Sequence, residues 1–333
     1  MSEPSTGDTK PATRKGSSFW QRLSNKSELG IAVPLVLLVV IVGIVNPVFF
    51  DGDNILNVLR QSSFIFIIGV AMTFVLVGGG LDLSVGSVLA LGGVVSGLAL
   101  LAHVPIWICV ALGVLVGVAV GLFNGIVVSV FKIPSLIVTL GMMYFARGVV
   151  QVLTRGNPVY PLPNDFNFLG QGFIAGIPVV VIVAAVFGVV GHVVLTQTAF
   201  GRAVFALGGN RETARLSGIN VQRVTIWVYV ICGAASGLTG VLTAARLASA
   251  LSNAGTGMEL QVIAGTIIGG TSMFGGSGSI LGTLIGVAFM NIIANGMVLM
   301  KISVYYQSMV IGAIIILAVG IDQYNRKRRG MAG

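Results

Sequence analysis

Residues 83–131 read LSVGSVLALGGVVSGLALLAHVPIWICVALGVLVGVAVGLFNGIVVSVF, forty-nine positions without one Asp, Glu, Lys or Arg. A helix needs about 20 apolar residues to cross the hydrocarbon core of a bilayer. The run is therefore too long for one span, and the turn at 103–105 divides it into 83–102 and 105–130. Working outward, the other charge-poor stretches give spans at 29–50, 61–81, 133–153, 177–195, 224–245, 260–277, 280–299 and 303–321. The run 260–300 is divided at Gly275 and Gly276. Of the 333 residues, 55% are hydrophobic and 9% charged, where a soluble domain carries roughly 25% charged residues. So few charges cannot cover that much apolar surface, and the bilayer must be part of the solvent. The sequence specifies an all-α polytopic membrane protein with about ten transmembrane helices.

The net charge of +9 suggests nucleic acid, but the basic residues lie in tails and short loops, where they set orientation. With the N-terminus in the cytoplasm, the inner side holds five in the N-terminal tail, then Lys132, Arg202, Arg211, Arg215, Arg223, and Arg326 to Arg329. The outer side holds Arg60, Arg155, Arg246 and Lys301, while Arg147 falls within a span. Fourteen against four obeys the positive-inside rule, with both termini cytoplasmic. Residues 1–28 read as a disordered cytoplasmic tail, 29–322 as the transmembrane domain and 323–333 as a basic cytoplasmic tail. Cys109 and Cys232 sit in apolar stretches and read as packing residues. His103 and His192 are too far apart for a metal cluster.

Glycine is the second signal, with 47 residues. Gly113, Gly117, Gly121 and Gly125 recur at every fourth position, and Gly233/Gly237, Gly265/Gly269 and Gly282/Gly286 repeat the spacing. Small residues let membrane helices approach closely where no hydrophobic force joins them, so these ridges are expected to pack helices within one chain. An internal repeat underlies the spans. The run from Gly80 to Val85 resembles that from Gly257 to Val262. Asn124-Gly125 has an echo in Asn295-Gly296, Lys132-Ile133 in Lys301-Ile302, and Arg60 with Gly69 in Arg223 with Gly233. Two halves of five helices each would be inverted relative to one another, a transporter architecture.

Two segments carry candidate function. In the cytoplasmic loop 196–223, Asn210 is a good N-cap for a short helix over 211–217 and Gly218 is placed to end it. Arg211 and Arg215 share a face, with Ala214 and Leu216 offering small apolar surface. Such a helix suits a groove on a partner, though a solvated loop that only fixes topology reads equally well. The second segment is GGGLDLSVGS, residues 78–87. Charge at membrane depth is expensive and usually functional, but Asp82 reads first as a cap for the N–H groups of Val85 or Gly86, and Glu259 as its counterpart. Within spans Asn124, Asn291, Asn295, Gln307 and Arg147 either tie helices together or line a pathway. GGTSMFGGSGS, residues 269–279, lacks the Gly-Lys-Ser/Thr ending of a phosphate loop and reads as an interhelical turn. No constellation for nucleophilic, acid–base or metal chemistry emerges.

GGGLDLSVGS, ALGGNRETARLSGINV (206–221) and GGTSMFGGSGSILGTLIG (269–286) resemble the ribose-type permeases. These are membrane subunits of bacterial monosaccharide ABC importers, related to the branched-chain amino acid permeases. The resemblance covers about residues 30–322 and implies a homodimer in the cytoplasmic (inner) membrane, in contact with lipid. It also implies a separate ABC ATPase that binds ATP and Mg, and a periplasmic sugar-binding protein. This chain would bind neither cofactor nor metal nor nucleic acid. Residues 209–219 would be the coupling helix, with Gly209, Asn210, Arg211, Glu212, Ala214, Arg215, Leu216, Gly218 and Ile219 facing or shaping the ATPase contact. Gly80, Asp82, Ser84, Asn124, Glu259, Asn291 and Asn295 are the candidates for pathway or structural roles. An ion-driven carrier and a permease for another small solute, such as a branched-chain amino acid, are the rivals.

Overall fold

In the computed structural model, which describes residues 27–328, each expected span holds one apolar helix, short in the case of 260–277. These are α1 (Ser27–Val45), α2 (Gly52–Val77), α3 (Val85–Leu101), α4 (Ile106–Ser129) and α5 (Ser135–Thr154), followed by α7 (Val179–Gln197), α10 (Val221–Leu247), α11 (Met258–Ile268), α12 (Ile280–Leu299) and α13 (Val304–Arg328). Short elements fill the connections: a 3-10 turn (Pro47–Phe50), α6 (Asn164–Gln171), a hairpin of β1 (Phe173–Ile174) and β2 (Ile177–Pro178), α8 (Ala199–Gly209) and α9 (Arg211–Leu216). By length and composition, α2, α4, α5, α7, α10 and α12 can cross a membrane.

The two longest of these helices form the centre. Ser63 to Val77 of α2 are buried without interruption, and α10 is buried over most of its length. Helices apolar all round belong in such a position. The halves interlock around them: α10 packs on α3 and α4, while α2 packs on α11 and α12.

Glycine sets the closeness of that packing. Gly113, Gly117 and Gly121 of α4 face Gly237, Gly233 and Tyr229 of α10, so the helices run antiparallel. A Cβ at Gly117 would lie 2.9 Å from the Gly233 carbonyl carbon, and one at Gly125 would lie 2.8 Å from Ile226 Cα. Gly265 and Gly269 of α11 meet Gly286 and Gly282 of α12 in the same way. These ridges therefore serve packing within the chain, as expected.

The largest departure is at 260–277. Only Met258–Ile268 is helical, and Gly269 ends the helix. Eleven residues rise about 16 Å, half the hydrocarbon thickness. Gly270, Gly275 and Gly276 then hold positive φ in the link to α12, which hydropathy cannot register. Arg60 also lies inside α2 rather than in a loop, its guanidinium 4.5 Å over the Phe173 ring. Of the expected N-terminal tail, Ser27 and Glu28 belong to α1, and residues 1–26 lie outside the described residues. At the other end α13 continues through 323–328, and 329–333 are likewise outside.

Candidate coupling and translocation site

The segment between α2 and α3 is extended because three glycines end α2 and Gly79 takes a φ of 77°. Its single charge, Asp82, is 1% exposed. Asp82 Oδ1 accepts from the Ser84 backbone N–H at 2.9 Å and from Ser84 Oγ at 2.6 Å. The expected cap on Val85 or Gly86 is thus displaced to Ser84. The chain stays extended to that residue, so the carboxylate closes a local Asx turn two residues on. Asn124 Nδ2 of α4 donates to Ser84 Oγ at 3.1 Å, which joins Asp82, Ser84 and Asn124 in one network.

Three residues with no separate sequence signal hold the same segment. Tyr229 Oη donates to the Leu81 carbonyl at 3.2 Å, Thr139 Oγ1 donates to it at 3.4 Å, and Leu81 N–H donates to Ser135 Oγ at 3.2 Å. A Cβ at Gly80 would stand 2.6 Å from Tyr229 Oη, so a larger residue there would have to displace the Tyr229 ring.

The corresponding break after α10 is held in a similar manner. Arg147 of α5 donates through Nη1 to the carbonyls of Ser252 and Ala254, both at 2.9 Å. It thereby ties α5 to the backbone of the 252–254 segment. Glu259 Oε1 accepts from Gly257 N–H at 3.2 Å. The two breaks touch: a Cβ at Gly86 would meet the Gly255 carbonyl and, at 2.5 Å, Glu259 Oε2. The structure therefore brings the Asp82 and Glu259 motifs to one crossing point.

Asn291 and Asn295 stand apart from this network. Asn291 Nδ2 donates to Val287 O of its own helix. Asn295 and Asn54 exchange amide hydrogen bonds of 2.8 and 3.2 Å, tying α12 to the start of α2. Interhelical amide pairs in membranes contribute about 0.6 kcal/mol on average. A double-mutant cycle on Asn54→Ala and Asn295→Ala should therefore show coupling of about 0.5–1.5 kcal/mol in detergent unfolding. Strict additivity of the single losses would count against the tie.

The loop 196–223 is largely helical. Gly208 and Gly209 close α8 rather than forming a free turn, and the chain bends at extended Asn210. Asn210 Oδ1 accepts from Thr213 N–H at 2.9 Å, and Gly218, with φ of 81°, follows the end of α9. Ala214 is turned inward and buried, so it anchors α9 instead of facing a partner, whereas Leu216 is 76% exposed. Glu212 and Arg215 form an exposed ion pair at 2.6 Å. The Arg215 hydrogen bond and charge hold the Glu212 carboxyl below its ordinary value and raise Arg215. The pair is fully present above the usual glutamate range and is lost as pH falls through the depressed value.

α8 connects this loop to both breaks. Phe200 stacks on Phe74 of α2 at 6.2 Å. Gly276 N–H donates to Val77 O at 2.9 Å, and Gly208 sits between those two residues. A Cβ at Gly208 would clash with Val77 O and lie 2.6 Å from Gly276 N, while one at Gly275 would lie 2.9 Å from Gly208 Cα and 3.0 Å from Gly79 Cα. Backbone from the 78–84 break, the 269–279 link and the α8–α9 loop thus converges at one junction.

A bundle of apolar helices interrupted by two packed breaks defines a multi-pass membrane protein. The chain belongs to the family described as branched-chain amino acid transport system / permease component, whose model matches residues 54–319. The ribose import permease protein of Haemophilus influenzae is 40% identical over 296 residues, covering 88% of this chain and 92% of that protein. The D-allose transport system permease protein of Escherichia coli K12 is 39% identical, covering 92% of each chain. The L-arabinose ABC transporter permease protein of Azospirillum brasilense is 38% identical, covering 96% of this chain and 93% of its own. No solved structure matches.

Proposed function

We infer that this chain is the membrane-spanning permease subunit of a bacterial ABC importer for a monosaccharide, placed as a multi-pass protein in the inner membrane. The relatives named as ribose, allose and arabinose permeases, matched over nearly their whole length, support the sugar class. The family description keeps a branched-chain amino acid as the second reading. In the proposed complex two copies of the chain enclose the pathway, a separate ATPase binds ATP and Mg, and a periplasmic binding protein delivers the sugar. The permease itself supplies no catalytic step. The proposed topology has ten spans, the eighth made of the short α11 and the 269–279 link rather than of one full-length helix, with inverted halves and both termini cytoplasmic. The equivalent lysines support the repeat: Lys132 follows α4 and Lys301 follows α12, and both adopt left-handed backbone, with φ of 56° and 58°.

The observation that carries the mechanism is the junction at Gly208. The ATPase presses on α9, and α8 passes the displacement to the breaks at 78–84 and 269–279. The pathway is thereby biased between inward-open and outward-open states. Gentle extraction of the tagged chain should co-purify an ATPase, and the complex should import radiolabelled pentose or hexose and not leucine. A chain that emerges alone and carries solute on an ion gradient would replace this reading with an ion-driven carrier. Within the importer, Glu212→Ala with Arg215→Ala should lower uptake roughly five- to 150-fold, the span of a typical coupling free energy. Insertion, measured by membrane yield, should stay unchanged. Wild-type uptake in the double variant overturns the role given to the pair.

A further inference from the structure

A cavity of about 500 Å³ opens at the α4–α5 turn, lined by Gly79, Lys132, Ser135, Leu207, Arg211 and Tyr229 among others. No Asp or Glu lines it. Lys132 and Arg211 are both exposed, and neither joins an ion pair among the described residues. α5 begins at Ser135 on the same wall, so its N-terminal end adds positive potential. Lys132 is held at this mouth in left-handed backbone, with φ of 56°. The cavity therefore presents two unpaired cations, a helix N-terminus and no compensating acid.

A second groove, of about 690 Å³, runs between α4 and α5, with Phe123, Val127, Ile133, Ile137, Met142 and Phe145 in its walls. Ile133 lines both spaces, so the groove and the cationic cavity are neighbours at the start of α5. Phe123, Ile137 and Phe145 are 54%, 61% and 67% exposed. From Ser135 to Phe145 the groove follows α5 for ten residue steps, about 15 Å of helical rise, close to acyl-chain length. Apolar walls of that length beside an anion-attracting mouth have the amphipathy of a lipid. A sugar would find few polar groups in the groove, and a soluble partner could not follow it into the membrane.

We propose that the α4–α5 groove binds one anionic glycerophospholipid, its acyl chain along Ile137 and Phe145 and its phosphate between Lys132 and Arg211. The proposal uses the cytoplasmic placement of the α4–α5 turn given above, because anionic lipid is abundant in that leaflet. Lys301, the equivalent lysine after α12, does not line the cavity and provides the internal control.

The test is native mass spectrometry of the full chain released from detergent and titrated with phosphatidylglycerol, phosphatidylcholine or inorganic phosphate. A phosphatidylglycerol adduct should form in preference to phosphatidylcholine and survive excess inorganic phosphate. It should weaken about fivefold in Lys132→Gln, the effect of one cation near an anionic surface, and stay unchanged in Lys301→Gln. Equal retention in both variants overturns the proposal. So does displacement by inorganic phosphate, which marks an anion site without a lipid. Loss of the adduct in the dimeric or ATPase-bound fraction also overturns it, because the groove is then covered by protein. No transport is measured, so failure here leaves the importer reading standing.

Discussion

Replacing Gly208 by alanine should lower sugar uptake about five- to 150-fold while the chain still inserts and still retains the ATPase of the proposed complex. The added Cβ meets the Val77 carbonyl and lies 2.6 Å from the Gly276 nitrogen, and both are backbone atoms. Neither can rotate away, so α8 must shift off the end of α2 or the Gly276–Val77 hydrogen bond must open. Overpacking of this kind costs about 1–3 kcal/mol. Here the strain falls on one arrangement of the junction, so it acts as a bias between pathway states, where each kilocalorie is roughly fivefold. Gly209→Ala separates two explanations, because nothing lies within 4 Å of that position inside the chain. If Gly209→Ala loses as much uptake as Gly208→Ala, the loss arises at the ATPase face. If only Gly208→Ala loses it, transmission through α8 is the step that fails. Full uptake by Gly208→Ala would remove the junction from the mechanism.

The helical plan was legible because charge gaps and span length are written along the chain. Each of the ten stretches holds a helix, since apolar residues without charges have no alternative in lipid. What charge gaps cannot show is backbone conformation. Residues 260–277 have the hydropathy of a span, yet Gly269 ends the helix and Gly275 and Gly276 turn the chain with φ of 91° and 76°. The clustered glycines are the available signal, and they mark a turn that shortens the helix as well as the place where one span ends and the next begins.

The candidate site divides in the same way. A local capping role for Asp82 is legible in the sequence, although its partner is Ser84 rather than Val85 or Gly86. Its anchors are not: Tyr229 lies 148 positions from Leu81, and Arg147 reaches carbonyls more than 100 positions away. Such contacts exist only once α5 and α10 are packed. Lys132 and Lys301 form one of the short echoes, and each occupies left-handed backbone after its helix, as His103, Arg155 and Ala248 do after theirs. Asn124 and Asn295 also echo in sequence, yet Asn124 joins the Asp82 network and Asn295 joins Asn54. The sequence echo therefore does not carry over to the hydrogen-bond partners of the two asparagines.

The α4–α10 contact should be the most sensitive place in the fold, and the same substitution on two helices will show it. At Gly117 an added Cβ clashes with the Gly233 carbonyl and lies 3.1 Å from Gly237 Cα, backbone on both sides. Gly117→Ala should destabilise the permease by at least about 1–3 kcal/mol, the cost of overpacking where no side chain can yield. The partners are glycines and lipid is as apolar as the helices, so no hydrophobic gain offsets the separation. At Gly148 of α5 nothing lies within 4 Å. Gly148→Ala should instead stabilise by about 0.5–1 kcal/mol, because alanine loses less backbone freedom in a helix. Thermal unfolding of each purified variant in one detergent gives the two signs directly. Losses of equal size would mean that glycine matters here through helix flexibility, and the close approach of α4 to α10 would then not be what holds the centre of the bundle together.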